Sequence, residues 1–136
     1  MVKYLSLLAA SALSLAATAA NAASPWPANV VGTWNADANQ HSLSIKVTSQ
    51  ASSGECRQLA GSITDTGTGA TGGLLGFYCP STGRISFLRT TSGSNAAFQN
   101  YSGNVAMKGR ARLMAGVFSE NATPVFVGEY GFYAVK

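Results

Sequence analysis

From Gly32 onward the chain is written in short runs that alternate apolar and polar residues, each closed by turn residues. In Ser42–Thr48, "SLSIKVT", Leu43, Ile45 and Val47 fall on one side and Ser44, Lys46 and Thr48 on the other. A period of two is the signature of a half-buried strand, and helical periodicity is absent from this region. Seven further runs read as strands: one starting at Gly32–Trp34, "QLAGSIT", "LLGFYC", "GRISFLRTT", "AAFQNYSGNVAM", "RARLMAGVFSE" and "FVGEYGFYAV". The links are short. Pro80-Ser-Thr-Gly83 reads as a tight hairpin turn with Pro early and Gly last, and Pro124 falls in a turn. Eight tilted antiparallel strands of about 8 residues suffice to close a small barrel, and closure removes the edges that invite aggregation. The expected fold is all-β, an eight-stranded antiparallel up-and-down β-barrel. An open sandwich is the alternative; hairpin connections throughout favour the barrel.

A different pattern precedes the strands. Lys3 supplies a positive start, Tyr4–Ala19 is an apolar run rich in Leu and Ala, and Ala20-Asn21-Ala22 has the small-x-small form of a cleavage site. This is the layout of a secretory signal peptide over residues 1–22, leaving 23–136 as one domain. The run is shorter than the ~20 apolar residues that span a bilayer, so no membrane anchor is expected. The expected location is secreted or periplasmic. The cations of residues 23–136 (Lys46, Arg57, Arg84, Arg89, Lys108, Arg110, Arg112 and Lys136) are scattered. Only Lys108-Gly-Arg110-Ala-Arg112 clusters, and strand alternation places those three on one solvated face. Nucleic-acid binding needs a denser basic patch with stacking aromatics, so no nucleic-acid partner is expected.

Cys56 and Cys79 are the only cysteines, and in an oxidising compartment pairing is the default. Register supports it. "CRQLAGSIT" and "GLLGFYC" flank the loop "DTGTGATGG", Asp65–Gly73, and folding the segment as a hairpin sets the two cysteines opposite each other at its open ends. Two cysteines and one histidine make no metal site.

Gly32-x-Trp34 at the head of the first strand is shared by lipocalin-like and avidin-like barrels, where Trp packs across one end. Three stretches are similar to the avidin and streptavidin family. "VGTWNAD…HSLSIKV" resembles its first hairpin, with a polar loop between Trp34 and Ser42. "QNYSGNV", Gln99–Val105, resembles its Thr-x-Trp-(Ser/Thr)-Gly-Gln strand, with Tyr101 in place of Trp, and "VGEYGFYAV" resembles its last strand. Leu59-x-Gly61 and Leu74–Tyr78 fit its Leu-x-Gly-x-Tyr strands. Typical lipocalins are longer and carry a C-terminal helix, so the resemblance points to an avidin-like β-barrel.

The resemblance implies a small molecule held non-covalently, biotin or a biotin-like compound, in a homo-oligomer. The groups that hold the ureido oxygen would fall near Asn35 and at Ser42. The strand Tyr that donates to the same oxygen aligns with Ile63, and the Trp wall of the fifth strand with Leu88. The Thr against the sulfur aligns with Gln99, the next wall Trp with Tyr101, the seventh-strand apolar pair with Val117 and Phe118, and the last-strand Asp with Tyr130. Each buried donor lost costs about 1–3 kcal/mol, so reduced biotin affinity is expected. Asn35, Asp37, Gln40, His41, Ser42, Gln99 and Tyr130 offer polar groups to the barrel mouth. The run Arg112–Phe118, "RLMAGVF", offers apolar surface to a second copy.

No catalytic constellation emerges, and no enzyme is expected. His41 is the only histidine, and Ser42 with Asp37 the only local partners for a triad. Neighbours on a strand point to opposite faces, which sets His41 and Ser42 apart. The carboxylates Asp37, Glu55, Asp65, Glu120 and Glu129 form no motif pair. "DTGTGATGG" carries no Lys at the P-loop position and no following helix, so it reads as a hairpin loop. Asn100-Tyr-Ser102 and Asn121-Ala-Thr123 meet the glycosylation rule, and Asn121 is expected in a turn. No cofactor is implied. The alternative to a small-molecule site is an exported protein-interaction or inhibitor module whose barrel is filled with Leu, Phe and Tyr.

Overall fold

Alternation in the sequence becomes inside and outside in the fold. The computed structural model describes residues 24–136 except 123 and 124, so the expected signal peptide and the turn at Pro124 lie outside the described residues. Eight strands follow one another: β1 (Gly32–Ala38), β2 (His41–Ser53), β3 (Cys56–Asp65), β4 (Thr71–Cys79), β5 (Arg84–Thr90), β6 (Ala97–Lys108), β7 (Ala111–Ala122) and β8 (Val125–Val135). Each pairs antiparallel with the next, and β1 pairs with β8 from Asn35↔Val135 to Ala38↔Phe132, closing the barrel. Among the described residues no helix is long and apolar enough to cross a membrane.

The burial patterns follow the pleat. On β1, Trp34, Ala36 and Ala38 are buried and Thr33, Asn35 and Asp37 exposed, while on β2 Leu43, Ile45 and Val47 enter the core as expected. Inside, Phe87 stacks on Tyr101 with ring centroids 4.7 Å apart, and Tyr101 on Phe118 at 5.0 Å. Phe132 meets Phe87 and Tyr101 edge-on at 6.1 and 5.2 Å. Glycine lets two neighbouring strands approach closely beside these rings. Gly103 and Gly116 are register partners, and a Cβ on either would lie 2.2 Å or less from a backbone carbonyl oxygen of the facing strand.

One end is sealed. The segment before β1 crosses it with Val30 fully buried, and the Trp34 indole donates to the Val30 carbonyl at 2.9 Å. Gln50 fixes the same strap twice, accepting from the Val30 amide at 3.0 Å and donating to the Ala28 carbonyl at 2.9 Å. The Tyr78 hydroxyl donates to the Pro27 carbonyl, and burial pushes that phenol up to about 12. The Gly32-x-Trp34 stretch thus lies at the closed end of the barrel.

Three local expectations are corrected. No polar loop separates Trp34 from Ser42, because β1 runs to Ala38 and pairs Ala38 with His41 across Asn39-Gln40 alone. Both turn residues have positive φ, 47° and 68°, the conformation that matches strand twist in a two-residue hairpin. The basic cluster is not on one strand face, since Gly109 and Arg110 form the turn between β6 and β7. Asn121 lies within β7, just past a register shift between Glu120 and Asn121, rather than in a turn. The cysteine expectation holds: Ser53↔Cys56 and Arg57↔Tyr78 fix the register, and Cys56 and Cys79 are disulfide-bonded with Cα atoms 4.1 Å apart.

Candidate ligand-binding mouth

At the end opposite the strap the aromatic filling stops short of the rim and leaves a cavity of about 280 Å³. Its apolar side is Ala38, Leu43, Tyr101 and Phe118, and its polar side is Arg89, Gln99 and Glu120, with Asp65 and His41 bordering it. Such a mix of an apolar surface and a few convergent polar groups is the usual make-up of a small-ligand site.

Parity puts the polar row inside. Ile85, Phe87 and Arg89 occupy alternate positions of β5, and all three are buried. Gln99 and Tyr101 do the same on β6, with Arg89↔Gln99 and Gln99↔Glu120 as register partners. The register shifts on either side of this row, between Arg89 and Thr90 and between Glu120 and Asn121. Such irregularities at a barrel rim re-aim side chains, and here the ladders continue past them, to Thr90↔Ala97 and to Ala122↔Val125.

The row is joined by hydrogen bonds. Gln99 Oε1 accepts from the Tyr101 hydroxyl at 2.9 Å and from Arg89 Nη1 at 3.3 Å. Gln99 Nε2 donates to Glu120 Oε2 at 3.1 Å. The amide therefore turns its carbonyl to the cation and its N–H to the carboxylate. Burial pushes the Tyr101 phenol up to about 12, partly opposed by the nearby Arg89 charge, so at neutral pH it serves as a donor. Arg89 Nη2 donates to the Ala70 carbonyl at 3.2 Å, and the guanidinium lies 5.1 Å from the Phe98 ring centroid.

The bordering groups are held separately. Asp65 Oδ1 accepts from the amides of Gly67 and Thr68 at 2.9 and 3.0 Å, and Oδ2 lies 3.2 Å from His41 Nδ1. The Thr68 amide above all, then Gly67 and His41, hold this carboxylate below its ordinary range against an opposing effect of burial. Ser42 Oγ instead donates to Asp37 Oδ1 at 3.2 Å. His41 and Ser42 thus bond to different carboxylates, and no nucleophile–base pair forms between them.

Of the positions the resemblance singled out, Gln99, Tyr101 and Phe118 border the cavity, and Tyr130 packs behind Phe118 at a centroid distance of 5.5 Å. Ile63 is inside but sealed in the core at 0% exposure. Asn35 and Ser42 face outward, and Leu88 is 39% exposed on the outer face, as is Val117 at 43%. Strand parity excludes these four from the lumen. The wall of β5 is formed by Phe87 instead of Leu88. Arg89, Glu120, Leu43 and Phe98 were not anticipated as site residues. Reading the alternation of "RISFLRTT" through to its end puts Arg89 inside with Ile85 and Phe87. Among known proteins, no family model and no curated sequence matches the chain.

Proposed function

We propose that the protein is a non-enzymatic binding barrel that holds a small molecule in the mouth cavity. The observation that carries this reading is the union of a sealed end with an open one where Arg89, Gln99 and Glu120 converge over Tyr101 and Phe118. The cavity of about 280 Å³ sits at the lower edge of the ~300–1,000 Å³ typical of ligand pockets, which favours a compact ligand. Biotin is one candidate, through the resemblance. The outward placement of Asn35 and Ser42 and the apolar Ile63 leave its ureido group few donors, which supports weak binding at most. An oxidising compartment, secreted or periplasmic, fits a chain with a disulfide. A homo-oligomer remains part of the proposal, with Leu113, Ala115 and Val117 as its apolar surface, since Met114 and Phe118 of the same run point inward.

Thermal melting with a metabolite panel that includes biotin and desthiobiotin tests the reading. A ligand at 100 times its Kd raises stability by about 2.7 kcal/mol, and a panel without any stabilising member counts against it. Native mass spectrometry of the purified protein reads both a co-purifying ligand and the subunit count.

One observation favours the interaction-module reading. Leu75, Phe77 and Leu88 are 46%, 49% and 39% exposed on neighbouring positions of the outer face of β4 and β5. Ligand-independent stability together with loss of partner capture on Phe77→Ser supports that reading over the first.

A further inference from the structure

Arg89 is a buried cation without a carboxylate partner. It is 7% exposed, and among the described residues the ion pair within 4 Å is His41–Asp65, not one of its own. Its Nε is the buried side-chain nitrogen that finds no hydrogen-bond partner among the described residues. Buried charges are ordinarily paired, and an unmet buried donor is destabilising. The neighbouring acids do not meet this need. Asp65 is occupied by the Gly67 and Thr68 amides and His41, and Glu120 is held beyond Gln99 by the Gln99 amide. The bonds to the Gln99 and Ala70 carbonyls engage one donor each on Nη1 and Nη2 with neutral acceptors. Arg89 is also one of the residues that line the mouth cavity.

We infer that the mouth takes its ligand carboxylate-first, as a small monocarboxylate whose anionic group lies on Arg89. This rests on the proposed binding function and names the ligand class for the same site. A planar carboxylate matches the guanidinium fork, and charge-assisted bonds of this kind are about twice as strong as neutral ones. The body of the ligand lies against Leu43, Tyr101 and Phe118, the apolar side of the cavity. Glu120, on the far side of Gln99, repels a second negative charge, so the site selects one carboxylate rather than two.

The test is a titration of the isotope-labelled protein with benzoate and, separately, with its neutral analogue benzamide. It is followed by NMR at the Arg89 Nε–H and the Gln99 side-chain amide. Benzoate is expected to shift both signals and to bind at least about tenfold more tightly than benzamide. Arg89→Gln is expected to weaken benzoate at least about tenfold and benzamide by far less. Arg89→Lys, which keeps the charge but loses the fork, falls between. The exposed neighbour variant Arg84→Gln serves as the control and leaves benzoate binding as it was. Equal affinity for the two probes, or benzoate binding untouched by Arg89→Gln, overturns the inference. Neutral or cationic ligands binding in the mouth while benzoate fails also overturns it, yet leaves the binding function standing. Failure of every ligand class overturns both.

Discussion

Phe87 and Tyr101 lie face to face at 4.7 Å, their planes 11° apart, at the middle of the barrel. With Phe118 and Phe132 they fill the lumen between the strap and the mouth, and among the described residues the mouth cavity lies beyond them at one end. The stack is therefore both core and floor of the site. Truncating Phe87 to Ala is expected to cost about 3–5 kcal/mol, measured by urea denaturation, because a fully enclosed ring leaves a cavity behind. Loss below 1 kcal/mol would mean that the stack is not packed as described.

Tyr101 ties that floor to pH. Its phenol ionises near 10 in the unfolded chain but is pushed up to about 12 in the fold, chiefly by burial. The neutral form is the one the fold favours, so this contribution is whole below pH 10 and is lost as pH rises from 10 to 12. The two-unit gap is worth about 2–3 kcal/mol. Denaturation curves across this window should flatten by that amount in Tyr101→Phe.

The β1–β2 turn holds a removable strain. Asn39 tolerates positive φ, but Gln40 at 68° carries a side chain into a region that costs ordinary residues about 1–2 kcal/mol. Gln40→Gly gives the Asn-Gly pair that this turn prefers. A gain of about 0.5–1 kcal/mol in urea denaturation is expected, net of the added freedom of glycine in the unfolded chain.

The disulfide staples the open end of the β3–β4 hairpin. Cys56 and Cys79 are 23 residues apart, and closing a loop of that size stabilises by roughly 3 kcal/mol. The Cys56→Ala, Cys79→Ala double variant should lose stability of this order with its barrel circular-dichroism spectrum retained.

The barrel was legible because two local signals agree with its closure. Alternation marks each strand, and turns such as Pro80–Gly83, where the Thr82 and Gly83 amides both return to the Cys79 carbonyl, mark the ends. Parity then decides the site residue by residue. It carries Gln99, Tyr101 and Phe118 inward together, whereas Leu88, one step from Phe87, falls outside. The positions that the resemblance assigned to Asn35 and Ser42 face outward, because a strand position one residue out of phase turns its side chain to the other face. Arg89 is hard to read from the sequence for a different reason. A lone arginine counts as surface charge until its strand is phased, and the register shifts beside Arg89 and Glu120 have no signature in the sequence.

Whether a ligand enters the mouth is decided by intermolecular nuclear Overhauser contacts of the most stabilising panel ligand. Contacts to Leu43, Tyr101 and Phe118 are the predicted result. Contacts confined to Leu75, Phe77 and Leu88 on the outer face would contradict it.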